Sequence, residues 1–472
     1  MRFLRPLLCA AFLLMLSFAL GEADSYNINA VYLPESRALR ADVEVTYTNT
    51  AGESLSYVTF ALPANCFRRV SALPYDAAAL EKAFPWGYTP AGAQLERVEF
   101  DSSPARYSFI QGGDVYFNVS ARMEPGQTGV FRFEYTLLLS DNRAFLGCGD
   151  DVRLHLFYPV ACPRQDGEAV TYPLSVCVHD VFACPADYAL TLKLPKVYTA
   201  ACGGAVRRME LNDAAVYSVT LGGASSLSLV LSKRFYEYTS ESECGTRISV
   251  YGNSRSKCTE ALRLARGALD IYESWFGKAV WDMALAFSSD AVSSAAPGLI
   301  RLGSDWEELE QTVYMLTAQQ FFGLSACTDP YTDPFLREGI SFYAYLLAQE
   351  QTRGEGAFTT LLNKKVLPAL KHTVPGSVTP DSFLTRFQSV SEFETVVRLR
   401  GAAVMHEMRE LLGRDAFIKA LGNFYRSGKG RLNTIEDLVN ALDGEFPQGA
   451  GSALISFLYT IDEYALFDGE YR

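Results

Sequence analysis

Side chains that could bind a metal or move a proton are concentrated between Met315 and Glu338. Met315 and Gln319 are four residues apart, so on a helix they would share a face, with Leu316 beside them. Glu338 follows Gln319 after a gap of eighteen residues. A thioether is a weak metal ligand, an amide is a poor one, and leucine cannot accept a proton. By residue type alone, this segment therefore offers Glu338 as its good metal ligand and no base beside Met315.

The residues around these positions match those of a known family. Residues 319–323 read Q-Q-F-F-G, and residues 335–343 read F-L-R-E-G-I-S-F-Y. The membrane alanyl aminopeptidases, which are zinc peptidases of the gluzincin class, carry H-E-x-x-H-Q-W-F-G at this place. Eighteen residues after the second His they carry a Glu, in a setting such as W-L-N-E-G-x-x-x-Y. The segment therefore resembles their active site with no insertion.

This resemblance assigns roles to positions of the present chain. In active relatives two His and one Glu hold Zn²⁺, and the Glu after the first His takes a proton from the metal-bound water. The corresponding ligand positions are Met315, Gln319 and Glu338, of which only Glu338 is retained, and the general-base position is Leu316. Zinc lowers the pKa of its water from about 15.7 to about 7, and a positioned base adds roughly 10²–10⁴ in rate. The resemblance therefore implies that the zinc cofactor is absent and that no catalytic residue is intact.

Two further positions of the family pattern are substituted. Residues 294–300 read S-A-A-P-G-L-I where the family has M-E-Y-P-G-L-I or similar, so Ala295 replaces the carboxylate that holds a substrate's free amine. Residues 398–401 read R-L-R-G where the family has Y-E-K-G, so Arg398 replaces the transition-state tyrosine. An accidental match is the alternative reading. The shared order of W-F-G at 275–277, P-G-L-I, the spaced Glu-Gly and the Arg-Gly pair favours the family.

Glu338 needs a partner if zinc is lost. A buried carboxylate without its metal either protonates or recruits a cation. Arg398 and Arg337 are both available in the sequence. We predict that Arg398 reaches into the metal position and pairs with Glu338, replacing the charge of the metal.

The periodicity of apolar residues predicts an α+β fold. Ala41, Val43, Val45 and Tyr47 alternate with polar residues, as in a half-buried antiparallel strand. Similar runs recur at 57–62, 115–119, 130–139, 154–160, 190–194, 216–221 and 227–231. Strands at 246–251 and 283–287 accompany a change to helical spacing, with helices predicted near 262–276, 306–323, 336–350, 357–370, 393–412, 414–426, 434–443 and 451–459.

We divide the chain into three predicted parts. Residues 1–21 are a signal peptide, and residues 22–240 are an N-terminal antiparallel β-domain of the saddle type that the family has. Residues 241–472 are a thermolysin-like, mostly α-helical peptidase domain with a degenerate site. The resemblance further implies that the family's C-terminal helical domain is missing.

The N-terminus and the cysteines predict an exported protein. Arg2 and Arg5 flank an apolar run over residues 6–20, which ends in small residues and is short for a membrane span. The predicted location is secreted or extracytoplasmic, with membrane attachment only if this segment stays uncleaved. Ten cysteines occur, and nine remain if Cys9 is removed with the signal peptide. In an oxidising compartment we expect some of them to form disulfides whose connectivity stays open.

Composition and the sparse histidines exclude other classes of function. The 472 residues are 49% apolar, and a net charge of −12 without a basic tract argues against nucleic-acid binding. Of the four His, His406 begins H-E-x-x-H, but the fifth residue is Glu410, so the second His is missing. His155 is predicted to be a packed or surface residue of a strand.

The sequence thus predicts an exported aminopeptidase-like protein that is a catalytically inactive pseudo-peptidase. Its predicted role is binding or scaffolding, with a groove kept near Glu338 and a peptide or an envelope protein as partner. One alternative is an active metallo-aminopeptidase, or another hydrolase, with an atypical site; it requires a metal or a proton-transfer group near Glu338. Another is a purely structural partner, for which the groove would be closed.

Overall fold

A computed structural model describes residues 24–110, 113–175, 177, 180–290, 292–303, 308–371, 378–446 and 449–467. The predicted signal peptide at residues 1–21 lies outside these described residues. Strands dominate up to Gly252 and helices dominate from Arg255 onward. The predicted α+β class and the order of its two parts are therefore confirmed.

The largest sheet has eight strands and belongs to the first part of the chain. In spatial order its strands are Ala205–Glu210, Ala214–Ala224, Ala186–Pro195, Ser25–Leu33, Ala38–Thr48, Thr128–Leu138, Gly92–Phe100 and Ser103–Pro104. All neighbours pair antiparallel except Ser25–Leu33 and Ala186–Pro195, which are parallel. Buried and more exposed residues alternate along Ala38–Thr48, as predicted from its apolar pattern.

Smaller sheets complete this part of the chain. One four-stranded sheet contains Thr199–Ala201, Ser228–Ser232, Val152–His155 and Gly147–Cys148. A second four-stranded sheet contains Val160–Ala161, Leu55–Ala61, Tyr116–Met123 and Tyr107–Phe109. A two-stranded hairpin pairs Arg164–Gln165 with Glu168–Ala169. The single strand predicted over 154–160 was wrong. The chain turns at Leu156, whose φ of 51° is left-handed, so its two ends join different sheets.

Two further sheets accompany the helices. The five-stranded sheet contains Tyr236–Glu241, Arg247–Gly252, Met283–Phe287, Leu299–Leu302 and Ser294–Ala296, and the three-stranded one contains Phe322–Gly323, Ala326–Thr328 and Leu432–Asn433. The first strand, Tyr236–Glu241, spans the predicted boundary between residues 240 and 241. That domain division stays a prediction.

The helices are α1 (Ala77–Ala83), α2 (Arg255–Phe276), α3 (Leu309–Phe321), α4 (Pro334–Arg353), α5 (Glu355–Leu361), α6 (Leu367–Lys371), α7 (Val390–Phe393), α8 (Gly401–Leu412), α9 (Arg414–Gly428), α10 (Ile435–Glu445) and α11 (Ala450–Phe467). The continuous helices predicted over 357–370 and 393–412 were wrong in detail. Each is interrupted by a π-helical segment, at Leu362–Val366 and at Glu394–Arg400. None of the helices in the described ranges is long and apolar enough to cross a membrane.

Helices α3 and α4 lie at the centre of the helical part. Every residue of α3 from Val313 to Phe321 is buried, and so is every residue of α4 from Pro334 to Gln349. Such helices are covered on all sides, so they need no polar face. Pro334 starts α4 in its first turn, where a missing N–H costs no hydrogen bond.

The nine described cysteines are all thiols in this structure. The buried ones are Cys66, Cys148, Cys162, Cys202, Cys258 and Cys327. Burial raises the pKa of the Cys202 and Cys327 thiols to about 12. The structure shows no disulfide among these nine described cysteines, and their pairing in an oxidising compartment stays a prediction.

Candidate functional site

The predicted site positions on α3 are buried side by side. Met315 is 7% exposed, Leu316 is 3% exposed and Gln319 is 2% exposed. Met315 and Gln319 lie one helical turn apart on α3, as the spacing requires. Ala295 lies in the neighbouring strand Ser294–Ala296 and is also buried.

Glu338, which is 7% exposed, lies on the first turns of α4 and uses both carboxylate oxygens in hydrogen bonds. Gln319 Nε2 donates to Glu338 Oε1 at 2.9 Å. Arg398 Nε donates to Glu338 Oε2 at 3.0 Å, and Arg398 Nη2 lies 2.9 Å from the same oxygen. The predicted pairing of Arg398 with Glu338 is therefore confirmed.

Arg398 reaches this position from the π-helical segment Glu394–Arg400. Its Nη1 donates to Glu394 Oε1 at 2.8 Å, so the guanidinium lies between two carboxylates. Burial alone would lower the pKa of Arg398, but the charges of Glu338 and Glu394 outweigh it and raise that pKa. Gly401, which directly follows this segment, lies close against α4. A Cβ added to Gly401 would be only 3.0 Å from the Cα of Gly339, so a glycine permits this approach.

A second arginine extends the network from α4 into the β-rich part of the chain. Arg337 Nε donates to Gln319 Oε1 at 3.2 Å, and Arg337 Nη2 donates to the carbonyl oxygen of Ala295 at 2.9 Å. Arg337 Nη1 donates to Asp180 Oδ2 at 3.2 Å. The backbone at the predicted amine-binding position, Ala295, is thus bound by a cation of the protein itself.

Asp180 and His155 close the network on the far side. His155 Nε2 lies 3.4 Å from Asp180 Oδ1, and His155 is 2% exposed, so of the two predicted alternatives, packed or surface, it is packed. Burial acts to raise the pKa of Asp180, but the hydrogen bond and charge of His155, together with Arg337, hold it below its ordinary value. Sequence analysis missed Asp180 altogether, and Arg337 was seen only as an available cation.

The donor set at this place does not fit a zinc ion. The side-chain oxygens of Gln319 and Glu338 already accept hydrogen bonds within the network, from Arg337 and from Gln319 and Arg398 respectively. Met315 is then the remaining ligand position, and its thioether is a soft, weak donor. Within the described ranges no three His, Cys, Asp or Glu side chains are grouped so that they could hold a metal. The positive charge that would neutralise Glu338 is supplied by Arg398.

The space beside the network is small. A cavity of about 10 Å³ is lined by residues that include Asp180, Arg337 and Thr328. Such a volume holds about one water molecule, and the Thr328 hydroxyl oxygen beside it has no hydrogen-bond partner. The side chains of Glu338, Gln319 and Ala295 are all buried, so each presents little surface toward the predicted groove.

His406 belongs to a separate buried cluster. Its Nδ1 lies 3.2 Å from the Tyr343 hydroxyl, and Arg409, which donates to Glu350 at 2.7 Å, is nearby in the same cluster. Burial, followed by the charge of Arg409, lowers the pKa of His406 from 6.5 to about 4. The residue therefore stays neutral at pH 7 and takes no part in a metal site.

This cluster predicts a loss of stability in acid. The unfolded chain binds a proton at His406 near pH 6.5, whereas the folded chain resists it until about pH 4, so the stabilisation is complete above pH 6.5 and is lost as the pH falls to 4. The loss amounts to about 3 kcal/mol. We expect the His406→Gln variant to lack this part of the pH dependence, as measured by urea unfolding at several pH values. Parallel pH profiles for the two proteins would contradict the assignment.

The comparison with solved structures identifies the fold. No protein-family model matches the chain, and no curated protein sequence matches it. Among solved structures, the M1 zinc metallopeptidase from Deinococcus radiodurans is similar over 93% of this chain and 93% of its own, with 16% identity and a TM-score of 0.66. A two-domain M1 zinc metallopeptidase mutant bound to L-arginine is similar over 93% and 94% of the two chains, with 17% identity and a TM-score of 0.66. The chain therefore has the fold of the M1 zinc metallopeptidases.

Proposed function

We propose that this protein is a catalytically inactive relative of the M1 metallopeptidases that acts by binding or scaffolding. The observation that carries the proposal is the saturation of Glu338, whose carboxylate accepts hydrogen bonds from Gln319 and Arg398. In an active site of this type the same carboxylate would bind the metal. Here a guanidinium takes the place of the cation, and Leu316 stands where a general base would be needed.

Two features weigh against the alternative of an active hydrolase. A metal would have to displace the Arg398 guanidinium, which already forms an ion pair with the Glu338 carboxylate. The buried side chains at Met315 and Leu316 offer no group that could activate water. A rebuilt hydrolase would need another proton-transfer group near Glu338, and His155, a histidine of the described network, is held by Asp180.

The proposal extends to location and partners. The apolar N-terminal run supports export, and we propose a peptide or an envelope protein as the partner. Because the side chains around Glu338 are buried, we propose that such a partner contacts another surface of the protein. This favours a scaffold over a protein that holds a peptide at the former active site.

The experiment compares the natural protein with a variant in which the donors are restored. Met315→His, Leu316→Glu, Gln319→His and Arg398→Tyr together rebuild the ligand set and remove the competing cation. We expect the natural protein to hydrolyse no aminoacyl-coumarin substrate above background, and the fourfold variant to gain zinc. Arg398→Tyr alone is the control, since it frees Glu338 without adding ligands and should gain none. Hydrolysis by the natural protein that a chelator abolishes would contradict the proposal.

A further inference from the structure

A surface cavity of about 270 Å³ lies between the end of α2 and the length of α9. We name it the basic basin and define it by the side chains of Trp275, Arg414, Asp415, Ile418, Lys419 and Arg426. It shares no residue with the Glu338 network. Its properties therefore do not depend on whether the former catalytic site is active.

The floor of the basic basin is apolar and aromatic. Trp275 is partly exposed and Ile418 is 9% exposed. The guanidinium carbon of Arg414 lies 5.8 Å from the centre of the Trp275 ring, within range of a cation–π contact. A flat apolar group that enters the basin could stack on this floor and displace water from it.

The rim of the basin carries an excess of positive charge. Arg426 donates to the Phe276 carbonyl oxygen at 3.2 Å and to Asn423 Oδ1 at 2.7 Å, both neutral acceptors. Within the described part of the chain, Arg426 has no carboxylate in salt-bridge range. Its guanidinium can therefore still bind an anion.

The other two cations of the rim are only partly compensated. Arg414 lies 3.4 Å from Glu350 Oε2 and 3.8 Å from the exposed Asp415 carboxylate, and the other oxygen of Glu350 accepts from Arg409 at 2.7 Å. One carboxylate therefore serves two guanidinium groups. Lys419 is 65% exposed and pairs with Glu445 at 2.8 Å, a contact that water and salt weaken.

The charge around the basin is unusual for this chain. The protein has a net charge of −12, so an uncompensated basic group stands out from an acidic background. Close to the basin, burial and the charge of Arg426 lower the pKa of Lys429. The positive charge of Arg426 thus acts on the neighbouring Lys429 side chain.

We propose that the basic basin binds a carboxylate carried on an apolar group. Arg426 and Lys419 would hold the carboxylate, since a guanidinium donates two parallel hydrogen bonds to it, and the apolar group would lie on Trp275 and Ile418. Two sources offer this chemistry, a small free aromatic acid and the C-terminal residue of a peptide. The volume of about 270 Å³ suits one side chain and its carboxylate.

Calorimetric titration of the full chain distinguishes the two sources. The probes are N-acetyl-phenylalanine, the peptide acetyl-Gly-Gly-Phe, and the C-terminal amide of each. We expect saturable binding of at least one acid, and at least about tenfold weaker binding of its amide, because the amide cannot form charge-assisted hydrogen bonds. Tighter binding of the peptide acid assigns a peptide terminus, and tighter binding of the small acid assigns a free ligand. Inorganic phosphate, which lacks the apolar part, should bind more weakly than either acid.

Variants locate the binding in the basin. Arg426→Ala and Lys419→Ala should each weaken binding of the acid by about tenfold. Asp415→Asn should tighten it, because Asp415 is 99% exposed on the rim and repels an incoming anion. Arg263→Ala is the matched control: it removes an exposed cation from the same helix as Trp275, and binding should stay unchanged. The proposal would be overturned if neither acid bound, or if acid and amide bound equally. It would also be overturned if both Lys419→Ala and Arg426→Ala left binding of the acid unchanged.

Discussion

Replacing Arg398 by alanine should lower the free energy of unfolding by about 3 kcal/mol. Removing one partner of a buried ion pair strands the other charge, which costs about 3–5 kcal/mol. We expect the low end of that range because the Arg398 side chain is 20% exposed, so some water can reach Glu338. Urea unfolding at pH 7 measures this change in the free energy of unfolding. It appears as a shift of the midpoint urea concentration while the dependence of the free energy on urea concentration stays the same.

Two further variants separate the ion pair from simple loss of packing. Adding Glu338→Gln to Arg398→Ala removes the stranded charge and should restore part of the stability, whereas packing loss would not be restored. Arg122→Ala is the control for losing a cation, since Arg122 is 89% exposed and its ion pair with Glu124 spans 3.6 Å; it should change stability by no more than about 0.5 kcal/mol. An Arg398→Ala protein as stable as the natural one would mean that Glu338 has no need of a cation.

Replacing Arg153 by methionine should cost about 3–5 kcal/mol. Arg153 is fully buried, donates from Nη1 to Asp151 Oδ1 at 2.9 Å, and lies 3.4 Å from Asp290 Oδ1. It also donates from Nε to the Ala144 carbonyl oxygen at 2.9 Å. Asp151 in turn accepts from the Ser289 hydroxyl at 2.7 Å, so this cluster ties a β-rich segment to the loop after Met283–Phe287.

The pH dependence of this variant gives a sharper test. Burial raises the pKa of Asp151 above its ordinary value, and the charge of Arg153 counteracts that rise. Without Arg153 the folded-state pKa rises further above the unfolded value. The Arg153→Met protein should therefore lose more stability as the pH rises from 5 to 8, because the folded state must then ionise a carboxyl that the unfolded chain ionises freely.

Arg143→Ala provides the control for this second experiment. Arg143 is exposed and lies 5.3 Å from the ring centre of the exposed Trp86. Its replacement should change the free energy of unfolding by no more than about 1 kcal/mol, with no added pH dependence. If Arg153→Met matched this control, the cluster around Asp151 would not hold the two segments together.

The ion pair at the centre of the site was predictable because it follows from a charge requirement. With Met315 and Gln319 at the positions where the resemblance implies histidines, we predicted that Glu338 lacks a metal, and a buried carboxylate then needs a proton or a cation. The frame of the family motif placed Arg398 opposite it. The structure places these side chains in contact at 3.0 Å.

The rest of the network left no local signal in the sequence. Arg337 and Asp180 are separated by 157 residues and meet only through the packing of the two parts of the chain. No periodicity or short motif marks such a pair. His155 was predicted as either a packed or a surface residue, and its partner Asp180 lies on an irregular segment where pattern analysis has no information.

The fold also divides into features that a local sequence pattern predicts and features that depend on tertiary contacts. Alternation in Ala38–Thr48 and uniform burial in α3 and α4 come from residue types that repeat locally, so their existence and type were predictable. The break at Leu156 and the π-helical segment Glu394–Arg400 depend on tertiary contacts. Both interruptions were therefore missed, and one of them carries Arg398.

The zinc content of the protein, purified without chelator and dialysed, tests the central claim most directly. Elemental analysis should find zinc near zero atoms per chain, because Glu338 is held by Gln319 and Arg398 and its former partner ligands cannot bind the ion. One tightly held zinc per chain would contradict the account. It would mean that other residues of the chain supply the ligands, and it would restore the case for an active metallo-aminopeptidase.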